Sequence, residues 1–586
     1  MSRVALLAIN AKYIHSSLSV WVIAGGVSKY SRLPHDVSIV EATINQPIDE
    51  IVRRVAEHTP EVVGISTYIW NAGMLYELLN LLRKRLPGVV VVLGGPEASN
   101  NAEHWLCNGA DYILPGEGEY VFPQFIDALF KGSPTAFTHA QVSPPDDHAY
   151  ASAQTYAPPT IALSPMQTQT PPTIALSSAQ ARSPLTHDSL QAHQIQADAK
   201  MSIDPYSKEF FDALNGRLAY IETSRGCPFR CAFCLSAEDD VRYFPLETVK
   251  KQILALSKSS AKTIKFVDRT FNSNTDRACE LLEYILGLDT SCRFHFEAAP
   301  DLFNERMLSL LKSVPPNRIQ LEMGLQSFFG PALKASFRKT DIEKAERNIQ
   351  ALLQKQNIHI HVDLIAGLPY ETLYEFENSF NRAYALRAHT LQLGFLKLLH
   401  GSKLRKQADS LGIEYMADPP YEIIKSPWLS TENIRHLKQV ENALQHTRNK
   451  GRFLSTLDYV LSVSEETPFS LLHALGKAVP NHGVQLEDYV VRIHAFFCEV
   501  AGIDESALHD HMVYDWLCMV KGKNAPAFMK NNDERRKNVA ETAEELLFRK
   551  MRREEVSVLS SGKGLFVDRN TRDPVTGLYK VYTCEL

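Results

Sequence analysis

Glu222-Thr-Ser-Arg-Gly-Cys-Pro-Phe-Arg-Cys-Ala-Phe-Cys234 carries Cys227, Cys231 and Cys234 in a C-x3-C-x2-C run. Three thiolates in so short a stretch can converge on one metal centre. Zinc would want a fourth protein ligand, usually from a second knuckle. No second C-x2-C occurs in the chain, and its His-x5-His pair, His187 and His193, falls in a low-complexity stretch. Three cysteines without a partner knuckle suit a four-iron cluster that keeps one iron open for a small molecule. The plainer alternative is a zinc knuckle or a set of buried thiols.

Outward from the run, short apolar stretches alternate with helical ones six times. Candidate strands are 218–223, 263–267, 293–298, 318–324, 358–365 and 391–398, with helix patterns near 246–256, 277–286, 305–311, 342–354 and 373–386. Six β-α units fit an open partial barrel. A closed barrel is packed inside with branched apolar side chains. Three of these strands alternate instead. Arg318, Gln320 and Glu322 oppose Ile319, Leu321 and Met323; Arg293, His295 and Glu297 oppose Phe294, Phe296 and Ala298; His359, His361 and Asp363 oppose Ile358, Ile360, Val362 and Leu364. A period of two gathers each polar set on one face. The apolar faces belong against the helices, so the polar faces line a wet or ligand-filled lumen. Mutual salt bridges with no ligand are the alternative; Glu322 and Glu297 are read as ligand-facing, and the histidines stay open.

Before the run, residues 4–9, 37–41, 62–66 and 89–93 read as buried parallel strands and 112–114 as a weaker fifth, with helices near 17–30, 48–58, 74–86 and 102–108. This repeat predicts a doubly wound, flavodoxin-like sheet. Its ligand site lies at the carboxyl ends of the strands. The loops there are 10–16, 66–72, Gly94-Gly-Pro-Glu-Ala-Ser99 and Pro115-Gly-Glu-Gly-Glu119.

The cysteine run, with aromatic Phe233 just before its last cysteine, resembles the radical S-adenosylmethionine (SAM) signature. The resemblance implies that Cys227, Cys231 and Cys234 ligate a catalytic [4Fe-4S] cluster whose open iron chelates SAM, and that reduction cleaves SAM to a 5'-deoxyadenosyl radical. Three segments are similar to those of cobalamin-type radical SAM enzymes. Phe266-Val-Asp-Arg-Thr-Phe-Asn272 matches the stretch near the SAM amino group, Glu322-Met-Gly-Leu-Gln-Ser327 the fourth-strand motif near ribose and methionine, and Asp363-Leu-Ile-Ala-Gly-Leu-Pro369 with Glu371-Thr372 the fifth-strand motif near adenine. Phe233, Asp268, Glu322 and Gln326 are thereby implied SAM contacts.

The Lys12-Tyr-Ile-His15 loop, the Gly-Gly-Pro-Glu turn and the Pro-Gly-Glu-Gly-Glu turn together resemble the cobalamin-binding domain that precedes many radical SAM domains. Gly94, Gly95, Gly116 and Gly118 are then implied cobalamin contacts. The Asp-x-His-x-x-Gly motif that supplies a lower axial histidine in some cobalamin domains is absent, which leaves that ligand unassigned; His15 is a neighbour, and a lone loop histidine is more often a surface residue. A retained fold with no cofactor is the alternative for this domain. Methylthiotransferases share the layout, but their N-terminal domain carries three cysteines for a second cluster. This one has Cys107 alone.

Residues 132–202 are rich in Pro, Ser, Thr, Ala and Gln, and Pro158-Pro-Thr-Ile-Ala-Leu-Ser164 recurs as Pro171-Pro-Thr-Ile-Ala-Leu-Ser177. Such a segment buries too little apolar surface to offset its ordering entropy, and reads as a disordered linker or insert. The expected division is a cobalamin-binding domain at 1–131, this insert, a radical SAM partial barrel at 203–402 and a mainly helical domain at 403–586 that ends in a strand pair at 556–567 and 578–583. That last region resembles the uncharacterised helical domain often found behind the cobalamin and radical SAM pair. Ser430 is placed to cap a helix whose buried face is Ile434, Leu437, Val440 and Leu444. Arg535-Arg-Lys537 and Arg549-Lys-x-Arg-Arg553 are interleaved with acids and read as solvated helix faces rather than an RNA surface.

At 586 residues several domains are expected. Hydrophobic residues at 45%, charged residues at 22% and a net charge of -5 describe a soluble globular chain without a global nucleic-acid signature. No apolar run is long enough for a bilayer, and nine cysteines, odd in number and scattered outside the cluster run, argue for a reducing cytoplasm. The resemblance implies a cobalamin-dependent radical SAM enzyme that methylates an unactivated carbon, fed by flavodoxin or ferredoxin, with methylcobalamin as the methyl donor. The alternatives are a rearrangement or cyclisation without methyl transfer, and a non-enzymatic cobalamin- or RNA-binding module with a structural cluster. The substrate, the role of the C-terminal domain and the oligomeric state are not encoded in any motif.

Overall fold

A computed structural model describes residues 1–132, 203–237, 240–480, 483–520, 525–529, 533–547 and 549–585. The Pro- and Ser-rich insert, its repeat, and His187 and His193 lie outside the described residues.

The N-terminal unit is a parallel five-stranded sheet in the order β2-β1-β3-β4-β5, built from β1 (Ser2–Asn10), β2 (His35–Thr43), β3 (Val62–Ser66), β4 (Val90–Gly94) and β5 (Tyr112–Leu114). Both faces are covered. Ala5, Leu7 and Ile9 of β1 pack with Ile51, Val55, Leu75 and Leu79 from the helices Ile48–Ala56 and Ala72–Arg85. Val4, Leu6 and Ala8 pack on the other side with Val20 and Val27 of Leu18–Tyr30 and with Phe122 and Phe125. The last two sit on a helix that the apolar pattern did not mark, Gly118–Phe130, which tolerates Pro123 in its interior.

The second sheet has six parallel strands in the order β13-β12-β11-β10-β9-β6: β6 (Ala219–Ile221), β9 (Thr263–Phe266), β10 (Arg293–Glu297), β11 (Ile319–Gln326), β12 (His359–Ala366) and β13 (Thr390–Phe395). Between β6 and β9 a short antiparallel pair, β7 (Ser224–Arg225) and β8 (Arg242–Tyr243), flanks the cysteine loop. Strand neighbours follow chain order and the two outer strands do not pair, so this is the open partial barrel expected. Its helix-facing side chains, among them Phe294, Phe296, Leu321, Met323, Ile360 and Val362, form one apolar cluster that continues into the C-terminal region.

A hairpin, β14 (Glu414–Tyr415) with β15 (Ile423–Lys425), leads into helices Thr431–His446, Leu454–Val463, Pro468–Ala478, Leu486–Cys498, Glu505–Met519 and Asp533–Leu547. Ser430 does cap the first, accepting from the Asn433 amide, and Ile434, Leu437, Val440 and Leu444 are its buried side chains. The expected terminal strand pair is instead three antiparallel strands: β16 (Val556–Val558), β17 (Gly564–Arg572) and β18 (Tyr579–Cys584). The 556–567 stretch folds back between Val558 and Gly564, where Leu559 bonds to the Lys563 carbonyl, so one expected strand became two.

Candidate active site

Loops at the carboxyl ends of the N-terminal strands reach the barrel along both ends of its first strand, β6. His15, in the loop after β1, brings Nδ1 within 2.5 Å of the Tyr220 hydroxyl on β6. The Leu218 amide donates to the Ile14 carbonyl and Ser16 Oγ to the Leu218 carbonyl. Arg217 pairs with Glu41 of β2 at 2.8 Å, both about nine-tenths buried. Pairs with that little exposure are costly to break one partner at a time. A second clasp runs from the loop after β5. Arg225 reaches Glu119 at 2.7 Å, Glu117 at 3.1 Å and its own neighbour Glu222 at 2.6 Å, and Arg242 also pairs with Glu117. The Pro-Gly-Glu-Gly-Glu turn is thus fastened two residues upstream of Cys227.

The three cysteines lie on the loop after β6. Cys227 and Cys231 are buried and Cys234 is half-buried. The loop is pinned where the Ala232 amide donates to the Ser336 carbonyl and the Leu404 amide to the Ala232 carbonyl. Cys227 Sγ lies 3.6 Å from Thr270 Oγ1. Arg338 Nη1 lies 3.9 Å from Cys231 Sγ, and its guanidinium stacks 4.2 Å from the Phe229 ring. Burial pushes the Cys231 thiol up, Arg338 pulls it down, and Cys234 and Cys227 push it up again. Arg338 is therefore a fixed positive charge beside the thiols, a feature no motif announced. Phe233, half-buried, packs against the barrel core.

The other expected SAM residues occupy three different settings. Asp268 is 1% exposed. Its oxygens accept from the Thr223 hydroxyl at 2.8 Å, the Thr223 amide at 3.2 Å and the Ser224 hydroxyl. Burial pushes its carboxyl up to about 6 against the pull of those bonds. Its contacts staple the strand end to the cysteine loop. Gln326 stands at the top of β11 with φ of +71°, where the register to β12 shifts. A Cβ on Gly324 would sit 2.1 Å from the Gln326 amide nitrogen, so the glycine makes room for that side chain. Glu322 lies deeper, in the lumen.

The lumen is lined in layers set by strand register. Lys265 stands beside Tyr220 and His295; His295 beside Gln320; Gln320 beside His359. One step up, Glu297 stands beside Glu322 and Glu322 beside His361; Asp363 comes next, opposite Gly324. Lys265 Nζ is 3.2 Å from Glu322 and 3.4 Å from Glu297, and His295 Nε2 is 2.9 Å from Glu322. Burial raises the Glu322 carboxyl, but the His295 bond and Lys265 outweigh it and hold it at about 2. Lower down, burial together with His389 and His361 depresses His359 to about 4. Part of the polar face thus pairs with itself, as the alternative reading allowed. Lys265 was not singled out in the sequence, although Thr263 and Lys265 continue the same period of two.

In the N-terminal sheet, Gly94 and Gly95 end β4, and Gly116 and Gly118 flank the turn after β5. Gly95 has φ of +96° and a Cβ there would meet the Thr67 carbonyl oxygen at 2.6 Å, so the two loops touch only because this residue is glycine. Gly118 opens a helix and faces Ile23. Glu97, 5% exposed, accepts from the Tyr421 hydroxyl at 2.6 Å. On the neighbouring loop after β3 Tyr68 and Trp70 stack, ring centroids 4.2 Å apart and 7° from parallel, and Trp70 stays 44% exposed. A half-open flat aromatic surface at the strand ends suits a large planar ligand.

A model of the B12 binding domain matches residues 4–126 and one of the radical SAM superfamily residues 221–383. The chain carries a B12-binding domain followed by a radical SAM domain. Residues 409–563 match a protein family of unknown function, DUF4080. The chain is 23% identical over 386 residues to an uncharacterised methyltransferase of Pyrococcus horikoshii, covering 64% of this chain and 76% of the relative. It is 22% identical over 345 residues to the cobalamin-dependent radical SAM methyltransferase TokK of Streptomyces tokunonensis, covering 57% of this chain but 46% of that one. Its fold matches TsrM of Kitasatospora setae, a radical SAM methyltransferase solved with cobalamin and a [4Fe-4S] cluster, at a TM-score of 0.53 and 16% identity, over 72% of this chain and 79% of that one.

The domain pair implies a [4Fe-4S] cluster, SAM and cobalamin, and the side chains present fit them. Zinc holds its ligands at about 2.1–2.3 Å, which puts tetrahedral thiolates about 3.8 Å apart. Among the described residues the three-ligand group gathered within 4.8 Å is Glu322, His361 and Asp363, not the cysteines. The wider spread of three thiols beside a fixed guanidinium suits a cluster.

Proposed function

We propose that this protein is a cobalamin-dependent radical SAM methyltransferase that methylates an unactivated carbon of a small molecule. The observation that carries the reading is the join of the two sheets: the Tyr68–Trp70 surface and the cysteine loop belong to units fastened to each other by Arg225 with Glu119 and by His15 with Tyr220. Cys227, Cys231 and Cys234 would hold the cluster, with Arg338 offsetting its negative charge. Phe233 and Gln326 would border SAM, Asp268 would keep the cysteine loop in register through Thr223 and Ser224, and Glu322 would face the substrate from the lumen. The loops of Gly94, Gly95, Gly116 and Gly118, with Trp70, would receive the corrin.

When bound, the cluster and SAM supply hydrogen abstraction and cobalamin supplies the methyl group. The chain's own share is alignment and the exclusion of water where the two sheets join. A flavodoxin- or ferredoxin-like electron donor and a cytoplasmic setting belong to this reading; among the described residues no helix is long and apolar enough to cross a membrane.

The test is to produce the chain anaerobically with cobalamin supplied, measure iron and cobalt per chain, and incubate it with SAM and a reductant. About four irons, stoichiometric cobalt, and S-adenosylhomocysteine formed beside 5'-deoxyadenosine are expected. Iron without cobalt, or 5'-deoxyadenosine with no S-adenosylhomocysteine, would replace methyl transfer by the rearrangement class.

A further inference from the structure

The loop after β4 is held from outside its own domain. The Tyr421 hydroxyl donates to Glu97 Oε1 at 2.6 Å across 324 positions of sequence. Both residues are buried. Among the described residues no lysine or arginine pairs with Glu97, so this hydroxyl is the donor that its carboxylate has. A buried carboxylate that loses its donor keeps the whole desolvation cost. At the far end of the same loop a Cβ on Gly401 would overlap the Asn100 side-chain amide, so the loop also lies against the segment after β13. Tyr421 sits in the turn of the β14–β15 hairpin, inside the stretch that matches a family of unknown function.

Tyr421 is itself fixed. Its carbonyl accepts from the Leu398 amide at 2.9 Å, and the Ile423 amide donates to the Leu396 carbonyl at 3.0 Å, so the hairpin is stitched to the chain that leaves β13. Its ring lies 4.8 Å from the Arg405 guanidinium, which also covers the Tyr415 ring at 4.9 Å. His400 meets the Tyr421 ring edge-on, with centroids 4.9 Å apart. Tyr421 has φ of +56°, a conformation that a bulky residue keeps only where its surroundings impose it. Arg405 belongs to the short helix Lys403–Lys406, whose Leu404 amide donates to the Ala232 carbonyl between Cys231 and Cys234. On the other side, Thr67 donates to the Gly94 carbonyl through both its amide and its hydroxyl, and that hydroxyl accepts from the Ala98 amide. The loop that carries Tyr68 and Trp70 therefore hangs on the turn that Glu97 anchors.

We propose that Tyr421 is a positioning residue: through Glu97 it holds the two loops that receive the corrin, and through Arg405 it ties them to the cysteine loop. The hairpin at the head of the region of unknown function is thus a brace between the two cofactor loops. The clasps at β6 take hold after β1 and β5; the brace takes hold after β4 and, through Thr67, after β3. Loops held in place before a ligand arrives need no ordering on binding, and the ligand binds more tightly for it. The link to the corrin rests on the cobalamin reading above; the brace itself rests on the contacts.

The test is hydrogen–deuterium exchange on the full-length, cluster-reconstituted protein without cobalamin, paired with hydroxocobalamin affinity read by quenching of tryptophan fluorescence. Tyr421→Phe removes one hydroxyl and keeps the ring beside Arg405. Amide exchange in 66–72 and 94–101 should quicken about tenfold or more, while exchange in β11 and β12 and the iron content stay as they were. Hydroxocobalamin should bind about tenfold more weakly. Tyr415→Phe, which removes the other phenol hydroxyl beside Arg405, should change neither. Adding Tyr421→Phe to Glu97→Leu should weaken binding by less than about twofold beyond Glu97→Leu alone, because both act on one contact. Exchange that stays slow in Tyr421→Phe, or quickens equally in Tyr415→Phe, overturns the brace. Faster exchange with unchanged affinity overturns its role toward the corrin. An unaltered chain that binds no cobalamin would overturn the cobalamin reading instead, and exchange alone then decides the brace.

Discussion

In β3 of the N-terminal sheet every residue is buried; in β11 of the barrel every second one is. Both strands are parallel and both are followed by a helix. The difference is what meets the second face. Helices cover both sides of the first sheet, so its strands read as continuous apolar runs. The second sheet curls with helices on one side only and leaves the other to a lumen. Alternation inside a parallel β-α unit is therefore a sign of a lined cavity, and the residues that alternate are the ones that line it.

The sharpest way to break the comparison is to place a charge in the sheet that has no polar face. Ile65→Asp puts a carboxylate, without a partner, in a layer where Ile65 is 2% exposed. A cost above about 4 kcal/mol is expected. The variant should lose protease resistance and cobalamin retention while the rest of the chain keeps its iron. A stable Ile65→Asp domain would mean that the first sheet tolerates what only the second should.

Cys231→Ala acts on chemistry rather than on folding. Iron should fall from about four per chain to below about one, SAM cleavage should cease, and the circular dichroism spectrum should stay as it was. An unchanged rate of 5'-deoxyadenosine formation would make the cluster structural.

A third prediction concerns the barrel's other side, where a carboxyl is buried with no positive charge. Glu371 is fully buried; Oε1 accepts from Ser327 Oγ at 2.5 Å and Ser379 Oγ at 3.1 Å, and Oε2 has no hydrogen-bond partner. Burial raises this carboxyl from 4.5 to about 7. A raised folded value means that the group's contribution is fully present below pH 4.5 and is lost as pH rises through about 7. The loss is on the order of 3 kcal/mol. Glu371→Gln lacks the titration, so from pH 5 to pH 8 its stability should improve relative to the unaltered chain by up to that amount. Parallel denaturation curves at both pH values check it, and a constant difference between the two proteins would show that Glu371 is not held neutral.

Much of this arrangement was legible in the chain. The cysteine run needs only local spacing, and the alternation at Arg318, Gln320 and Glu322 is a local period, so cluster loop and lumen could both be read. What escaped depends on distant packing. Arg338 lies about a hundred residues from Cys231 in sequence and has no motif; only the turn that returns Ser336 to Ala232 places it there. The His15–Tyr220 contact joins residues on either side of the long insert. The helix Gly118–Phe130 was masked by its glycine-rich start and by Pro123, both poor local helix signals. The third strand at the C-terminus was missed because Ser560-Ser-Gly-Lys-Gly564, a turn signal between two apolar runs, was read through as strand.

The smallest effect is expected where the second sheet should accept the charge that the first refuses. Gln320 stands in the lumen between His295 and His359 in register, with one imidazole on either side. Gln320→Glu adds a carboxylate of nearly the same size among groups that can donate to it. The desolvation cost is opposed by those imidazoles, and the depressed His359 should titrate at a higher pH once a negative charge stands beside it. A stability change within about 1 kcal/mol follows, or a midpoint shift of about 2–4 °C at most. The His359 imidazole resonance, followed by NMR against pH, gives the sharper reading. An upward move confirms that Gln320 faces the lumen. An unmoved His359 together with a loss as large as that of Ile65→Asp would mean that the two sheets differ less than their burial patterns say.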